Sequence, residues 1–367
     1  MKKKITYKSS GVNYETLDPI KKFAQDSAKK TSKNLRKHGF SEISDSRGES
    51  AYVWKQGNAH MAFVVEGLGT KNLVADEMYR LTGKSYYAVI AQDTVAAIIN
   101  DLISVGAAPL VINAYWASSG DNFMNDKKRM TDFIKGWANA TNLSGAVWGG
   151  GETPGLSGII ENTKVDLGGS AIGIIKKSKN ILIDKGIKIG DRIILIKSNG
   201  INANGLSLAR KISTKLSKGY LTKLTNGKTY GQSLLTSSNI YAKLITDLQK
   251  EKIQVHYLSN ITGHGMRKIM RAKPAFTYVI EKVFKPQEVF NFIQKHANLT
   301  DEEMYGTFNM GQDFAIFVSL KDVNKTLRII KKNKFSAIDA GFVERGEKEV
   351  IIKQKNITFK SESLNLR

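Results

Sequence analysis

The chain has 367 residues, 41% of them hydrophobic, enough to bury a full core and to divide into two domains. It has no cysteine, which excludes disulfides, thiolate metal sites and cysteine nucleophiles, and no apolar stretch approaches the ~20 residues of a membrane helix. Its 56 Lys and Arg outweigh 33 Asp and Glu for a formal charge of +23, yet only eleven of the basic residues are Arg and the lysines are dispersed, which argues for a solvated basic surface and against a nucleic-acid partner.

The short start Met1-Lys2-Lys3-Lys4 is followed by no signal-type apolar region, so a cytoplasmic location is expected. In chain order, Leu17-Asp18-Pro19 reads as the start of a Lys-rich amphipathic helix running to about Lys37, with Pro in its first turn. Strands are expected near 51–54 and 61–65. The second ends in Val65-Glu66-Gly67-Leu68-Gly69-Thr70-Lys71, where a carboxylate, two glycines, a hydroxyl and a lysine can hold a metal-bound phosphate. The spacing is not that of a Walker A loop, and a hairpin turn with an exposed lysine is the plainer alternative.

A helix near Met78 precedes the most regular segment, 91–109. Val95, Ile98, Ile99 and Leu102 fall on one helical stripe, and Gly106 with Pro109 supply the stop. Asp93, Asn100, Asp101 and Ser104 fall on the opposite side, in a strip without Lys or Arg, so two carboxylates and an amide are expected to face a ligand rather than open solvent. After a helix over about 126–140 and a strand near Ala146 comes Trp148-Gly149-Gly150-Gly151-Glu152-Thr153-Pro154-Gly155. Consecutive glycines admit positive φ and carry no Cβ, so their N–H groups can form an anion-binding nest beside Glu152, a hard oxygen donor suited to Mg²⁺; a simple turn is the alternative.

A strand at 170–175 closes the first expected domain, 1–175, and a charged connector, 176–188, opens the second, 176–367. There a strand at 192–197 feeds the loop Gly200-Ile201-Asn202-Ala203-Asn204-Gly205 and a helix from Leu206. Strands near 276–280, 314–320, 340–343 and 350–352 interleave with helices near 287–296 and 323–331, and the polar residues beyond Ile357 are expected to be ragged.

These motifs carry a resemblance. Tyr7-Lys8-Ser9-Ser10-Gly11-Val12, Gly69-Thr70-Lys71, Asn100-Asp101-Leu102 with Gly106-Ala107 and Pro109, and Gly150-Gly151-Glu152-Thr153 resemble, in this order, the phosphoribosylformylglycinamidine cyclo-ligase family. The likeness continues through Gly190-Asp191, Ser198 to Arg210, Ile261-Thr262-Gly263-His264-Gly265 and Met304-Tyr305-Gly306-Thr307-Phe308-Asn309-Met310-Gly311. It implies an α+β fold: an N-terminal ATP-binding and dimerisation domain whose strands join a barrel-like sheet shared by a homodimer, with helices outside, and a C-terminal α/β sandwich completing the substrate cleft. Relatives on the same framework include thiamine monophosphate kinase, which keeps a small-molecule kinase open as the alternative.

The implied activity is ATP- and Mg²⁺-dependent closure of formylglycinamidine ribonucleotide to aminoimidazole ribonucleotide through an iminophosphate. Carried over residue by residue, Glu66, Asp101 and Glu152 would ligate Mg²⁺, while Gly69, Thr70, Lys71, Asn100 and Gly149 to Gly151 would hold ATP. Asn204, Gly205, Gly263 and Gly265 would face the substrate, with Asp93, Asn202 and His264 taking catalytic roles. The sequence departs from the family pattern at Glu66, usually Asp; at Asn202, usually His; after Thr153, where three residues are missing; and at His264, which interrupts a glycine triplet and offers a titratable ring in compensation.

Overall fold

The computed structural model describes residues 4–5, 10–11, 14–183 and 186–364, so the motif at 7–12 lies outside the described residues except for Ser10 and Gly11. The N-terminal half contains α1 (Tyr14–Lys29), α2 (Lys33–Arg36), β1 (Ser41–Glu42), β2 (Tyr52–Gln56), β3 (Ala59–Gly67), α3 (Lys71–Thr82) and α4 (Tyr87–Ser104). It continues with β4 (Ala108–Ser118), α5 (Asp121–Met124), α6 (Lys127–Ser144), β5 (Val147–Glu152) and β6 (Val165–Ile175). The single helix expected to reach Lys37 is therefore two, parted by a turn in which the Thr31 hydroxyl donates to the Ala28 carbonyl at 2.7 Å.

The strands form one sheet in the order β1-β2-β3-β6-β4-β5, antiparallel except for the β4–β5 pair. Alternation decides its faces. His60, Ala62 and Val64 of β3 point to the helical side and are buried, whereas Phe63 and Val65 point away, Val65 being 64% exposed. On β6, glycines let α4 lie close: a Cβ on Gly169 would meet Ile98 at 3.0 Å, and one on Gly173 would meet Leu102 at 3.1 Å.

The triple glycine is not a loop. It lies within β5, where the register steps from Ile112 opposite Trp148 to Asn113 opposite Gly150, leaving Gly149 as the extra residue of a β-bulge. Gly150 has φ +135°, and a Cβ on Gly151 would fall 2.3 Å from the Ala114 carbonyl oxygen, so backbone conformation requires the one glycine and close strand approach the other.

The C-terminal half contains β7 (Arg192–Lys197), α7 (Leu206–Ser213), α8 (Tyr230–Leu234), α9 (Ala242–Lys250), β8 (Val255–Asn260), β9 (Thr277–Ile280) and α10 (Glu288–Ala297). It ends with α11 (Asp301–Tyr305), β10 (Gln312–Val318), α12 (Val323–Lys332), β11 (Ala337–Glu344), β12 (Glu349–Ile352) and β13 (Ile357–Lys360). Its sheet runs β13-β12-β9-β11-β7-β10-β8. The tail expected to be ragged is a paired edge strand, because Ile357 and Phe359 alternate into the core and β13 runs antiparallel to β12.

Between the two sheets lies α4, packed on β3, β4, β6 and α6 on one side and on β8 and α9 on the other. This explains why even its polar residues are buried. No helix among the described residues is long and apolar enough to cross a membrane.

Candidate active site

The polar strip of α4 faces the C-terminal half, and two of its members are consumed in holding it. Asp93 Oδ2 lies 2.5 Å from Lys71 Nζ, with both side chains fully buried, and Asp93 Oδ1 accepts the Ser238 N–H at 2.6 Å. Lys71 also donates to the Thr236 carbonyl at 2.8 Å. Asn100 accepts the Tyr241 N–H at 3.1 Å and donates to the Asn239 carbonyl at 2.8 Å. An ion pair so enclosed is worth keeping only when both partners stay satisfied, and here backbone groups of 236–241 complete it.

One and two turns further along α4, Ala97 and Asp101 border a cavity of about 310 Å³ between the halves. Its walls come from the end of β3 (Glu66, Gly67), the turn before α3 (Gly69, Thr70), the start of α7 (Asn204, Gly205, Ser207) and the segment after β8 (Asn260, Thr262, Lys268). The Glu66 and Asp101 carboxyls are hydrogen-bonded, and the Glu66 carboxyl is pushed up to about 7, first by burial and then by the negative charge of Asp101. Asn260 donates to Asp101 Oδ1 at 2.8 Å, and the Lys268 ammonium donates to the Thr262 hydroxyl. Burial presses the Lys268 ammonium below its ordinary range, while Asp101 and Glu66 act in the opposite direction. The N-terminal ends of α3 and α7 both reach this cavity, so two helix dipoles favour an anion there.

Residues 48–175 match the AIR synthase related protein N-terminal domain, and residues 188–354 match the C-terminal domain. The chain belongs to the AIR synthase related family. It is 34% identical to the phosphoribosylformylglycinamidine cyclo-ligase of Methanocaldococcus jannaschii over 283 residues, 77% of each chain. It is 32% identical to the enzyme of that name from Methanococcus vannielii over 346 residues, 93% of this chain and 92% of the other. The solved structure of AaThiL complexed with AMPPCP and TMP superposes with a TM-score of 0.58 at 12% identity, covering 85% of this chain and 90% of that one, and so shares the fold.

Within this AIR synthase framework the expected site residues are distributed unevenly. Glu66, Gly69, Thr70, Asp101, Asn204 and Gly205 line the one cavity. Gly205 has φ +77°, and a Cβ there would lie 2.0 Å from the Phe308 ring, so both backbone and space demand glycine. Lys71, Asp93 and Asn100 instead form the buried seam described above, because α4 docks its polar strip onto 236–241.

Glu152 does not line the cavity that Glu66 and Asp101 share. It is exposed at the end of β5, on the open face of the first sheet, in a cavity of about 640 Å³ that it shares with Glu66, Tyr115 and Asp166. Among the described residues no group of three or more His, Asp or Glu stands close enough to hold a metal ion, so the expected three-acid cluster is not assembled within one chain. Gly151 and Gly149, the extra residue of the bulge, line the same outer cavity, whereas Gly150 does not.

Asn202, at φ +58°, turns inward and donates to Asp313, which also accepts the Tyr241 hydroxyl at 2.5 Å. Burial pushes the Asp313 carboxyl up to about 6. His264 is 5% exposed, and its imidazole is pushed down to about 3, by burial first and then by the charges of Arg267 and Lys268. A ring held neutral in this way is too weak a base to take a proton near neutrality, which removes the expected compensation for Asn202. Gly265 has φ +54°, and a Cβ on it would lie 2.1 Å from the Tyr305 carbonyl oxygen, so it shapes the turn that carries Lys268; Gly263 does not line the cavity. Asn260 and Lys268 line the cavity without belonging to any glycine-bearing acidic motif. Lys268 sits among Met266, Ile269 and Met270, and its spacing reads as an ordinary surface lysine on an apolar turn.

Proposed function

We propose that this chain is an ATP-dependent cyclo-ligase that closes formylglycinamidine ribonucleotide to aminoimidazole ribonucleotide. The observation that carries this reading is the single cavity in which Glu66 and Asp101 of the N-terminal domain meet Asn204 and Gly205 of the C-terminal domain, with two helix N-termini aimed into it. The chemistry needs such a place. An amide oxygen is a poor leaving group, so it first attacks the terminal phosphorus of ATP and releases ADP. A neighbouring nitrogen then attacks the activated carbon, phosphate departs with the oxygen, and a proton is lost as the ring forms. Alignment of the reacting groups and stabilisation of phosphoryl charge supply most of the rate.

Glu66 and Asp101 fit Mg²⁺. Two carboxyls close enough to hydrogen-bond, one of them with its proton affinity raised, form a hard oxygen pair that a dication would relieve, and Mg²⁺ is commonly held by one or two carboxylates together with phosphate oxygens. When bound, the ion would neutralise phosphate charge. Gly69 and Thr70 at the start of α3 receive the phosphates, Asn204 and Gly205 orient the amide substrate, and the Lys71–Asp93 pair with Asn100 holds the two walls in register.

The open face of the first sheet, with Phe63, Val65, Tyr115 and Ile172 exposed, suits a second copy of the chain. A homodimer formed there would share a barrel-like sheet and enclose Glu152 and the outer cavity, where Glu152 and the bulged glycines would serve the nucleotide. The purified chain, dimeric by light scattering, is expected to convert formylglycinamidine ribonucleotide, ATP and Mg²⁺ into equimolar ADP, phosphate and aminoimidazole ribonucleotide. ATP turnover on that substrate without ring product would overturn the reading, and a monomer that retains full activity would overturn the dimer.

A further inference from the structure

The lysine of the glycine motif after β3 points away from the cavity. Lys71 is fully buried, 2.5 Å from Asp93, with a further bond to the Thr236 carbonyl, so its charge is spent inside the seam. The ammonium that does stand in the cavity wall is that of Lys268, from a turn in the other half of the chain. It lies near Asp101 and Glu66 and donates one of its three N–H groups to the Thr262 hydroxyl. Lys268 is carried on a turn that Gly265 makes possible, and it lines a space also reached by the start of α3 and the start of α7. A cation on the two carboxylates would occupy the negative partners of Lys268 and leave it facing anionic oxygen.

We infer that Lys268 binds a phosphoryl oxygen of the nucleotide triphosphate, in the role that the order of motifs assigns to Lys71. The inference rests on the ATP reading above and adds a specific contact to it. A compact ammonium is a common phosphate ligand, and the enclosed site makes its charge-assisted bond strong. Lys268 thereby couples the C-terminal half to the nucleotide, while Lys71 couples the same half to α4.

Calorimetric titration with Mg²⁺ and AMPPCP, with AMP and with ribose 5-phosphate tests this on the wild-type chain, on Lys268→Met and on Lys268→Arg. The Met variant is expected to lose affinity for AMPPCP by about tenfold or more, as for a lost charged hydrogen bond, with AMP changed by less than about twofold. The Arg variant is expected to recover much of the loss. Unchanged AMPPCP affinity in the Met variant overturns the inference, as does an equal loss for AMP, which would mean a collapsed cavity. A loss confined to ribose 5-phosphate assigns the lysine to a substrate phosphate and overturns it as well. If the wild type fails to bind AMPPCP, the ATP reading itself falls, and the inference with it.

Should the Met variant not fold, amine acylation of the wild type mapped by mass spectrometry decides. Lys268 is expected to be protected by Mg²⁺ and AMPPCP but not by AMP, with Lys71 unmodified throughout, and equal labelling of Lys268 with and without AMPPCP overturns the inference.

Discussion

The two ends of the polar strip on α4 carry the same kinds of side chain and have opposite fates. At one end Asp93 is sealed against Lys71 and the Ser238 N–H; at the other, Asp101 meets Glu66, Asn260 and Lys268 at a cavity. A helix presents its polar face as a unit, but the neighbour it docks against divides that face into structural lock and chemical site. Periodicity placed both acids on one side, and the shape of the C-terminal half separated them.

The largest effect expected from breaking this comparison is at the cavity end. Asp101→Asn is expected to lower ring-forming turnover by about 10²–10³-fold, with the thermal midpoint nearly unchanged, because it removes one of the two carboxylates proposed to hold Mg²⁺ and leaves a residue that still hydrogen-bonds Asn260. A variant that instead lost mainly stability would place Asp101 in the lock. At the other end, Lys71→Met should destabilise the fold by about 3–5 kcal/mol in urea unfolding, since it strands a buried carboxylate. Adding Asp93→Leu should restore much of that loss, and a double variant no better than the single one would show that the pair is not the lock.

The smallest effect concerns a residue beside the cavity that serves the fold. The His264 imidazole is pushed down to about 3, whereas in the unfolded chain it titrates at about 6.5. The unfolded chain therefore takes up its proton first as pH falls, so the stability tied to the neutral ring is fully present above about 6.5 and is lost as pH drops towards 3. His264→Asn, which tolerates the left-handed backbone at φ +69°, should flatten the acid limb of the unfolding midpoint against pH over that window. An unchanged limb would remove His264 from the acid sensitivity.

Much of the site was legible for local reasons. Asp101 follows from helical spacing and Glu66 from its place at the end of an alternating strand, and both line the cavity. The glycines at 149–151 accommodate a bulge and close strand contact, which a linear reading cannot distinguish from a loop that cradles phosphate. β4 begins inside the Gly106 and Pro109 helix stop, which masks a strand whose Ile112, Ala114 and Trp116 alternate inward. β8 escapes periodicity because a strand buried on both faces has no alternation to display. Lys268 was invisible for a stronger reason, since Glu66, Asp101 and Thr262, which give it meaning, come from three separate segments.

Local pattern by itself determined that α4 would be a helix with an unbroken acidic and amide strip, that Glu66 would end a strand beside glycines, and that no thiol chemistry was available. These are properties of neighbours a few residues apart, and side-chain period and composition express them directly. Only the tertiary structure decided that Asp101 reaches Glu66 while Asp93 reaches Lys71, that Glu152 faces outward, and that the lysine of the cavity is Lys268. Those outcomes depend on sheet order, on glycines in β6 that admit α4, and on the docking of 236–241. Contacts between residues on separate elements are set by packing of whole faces, which no short window of sequence contains.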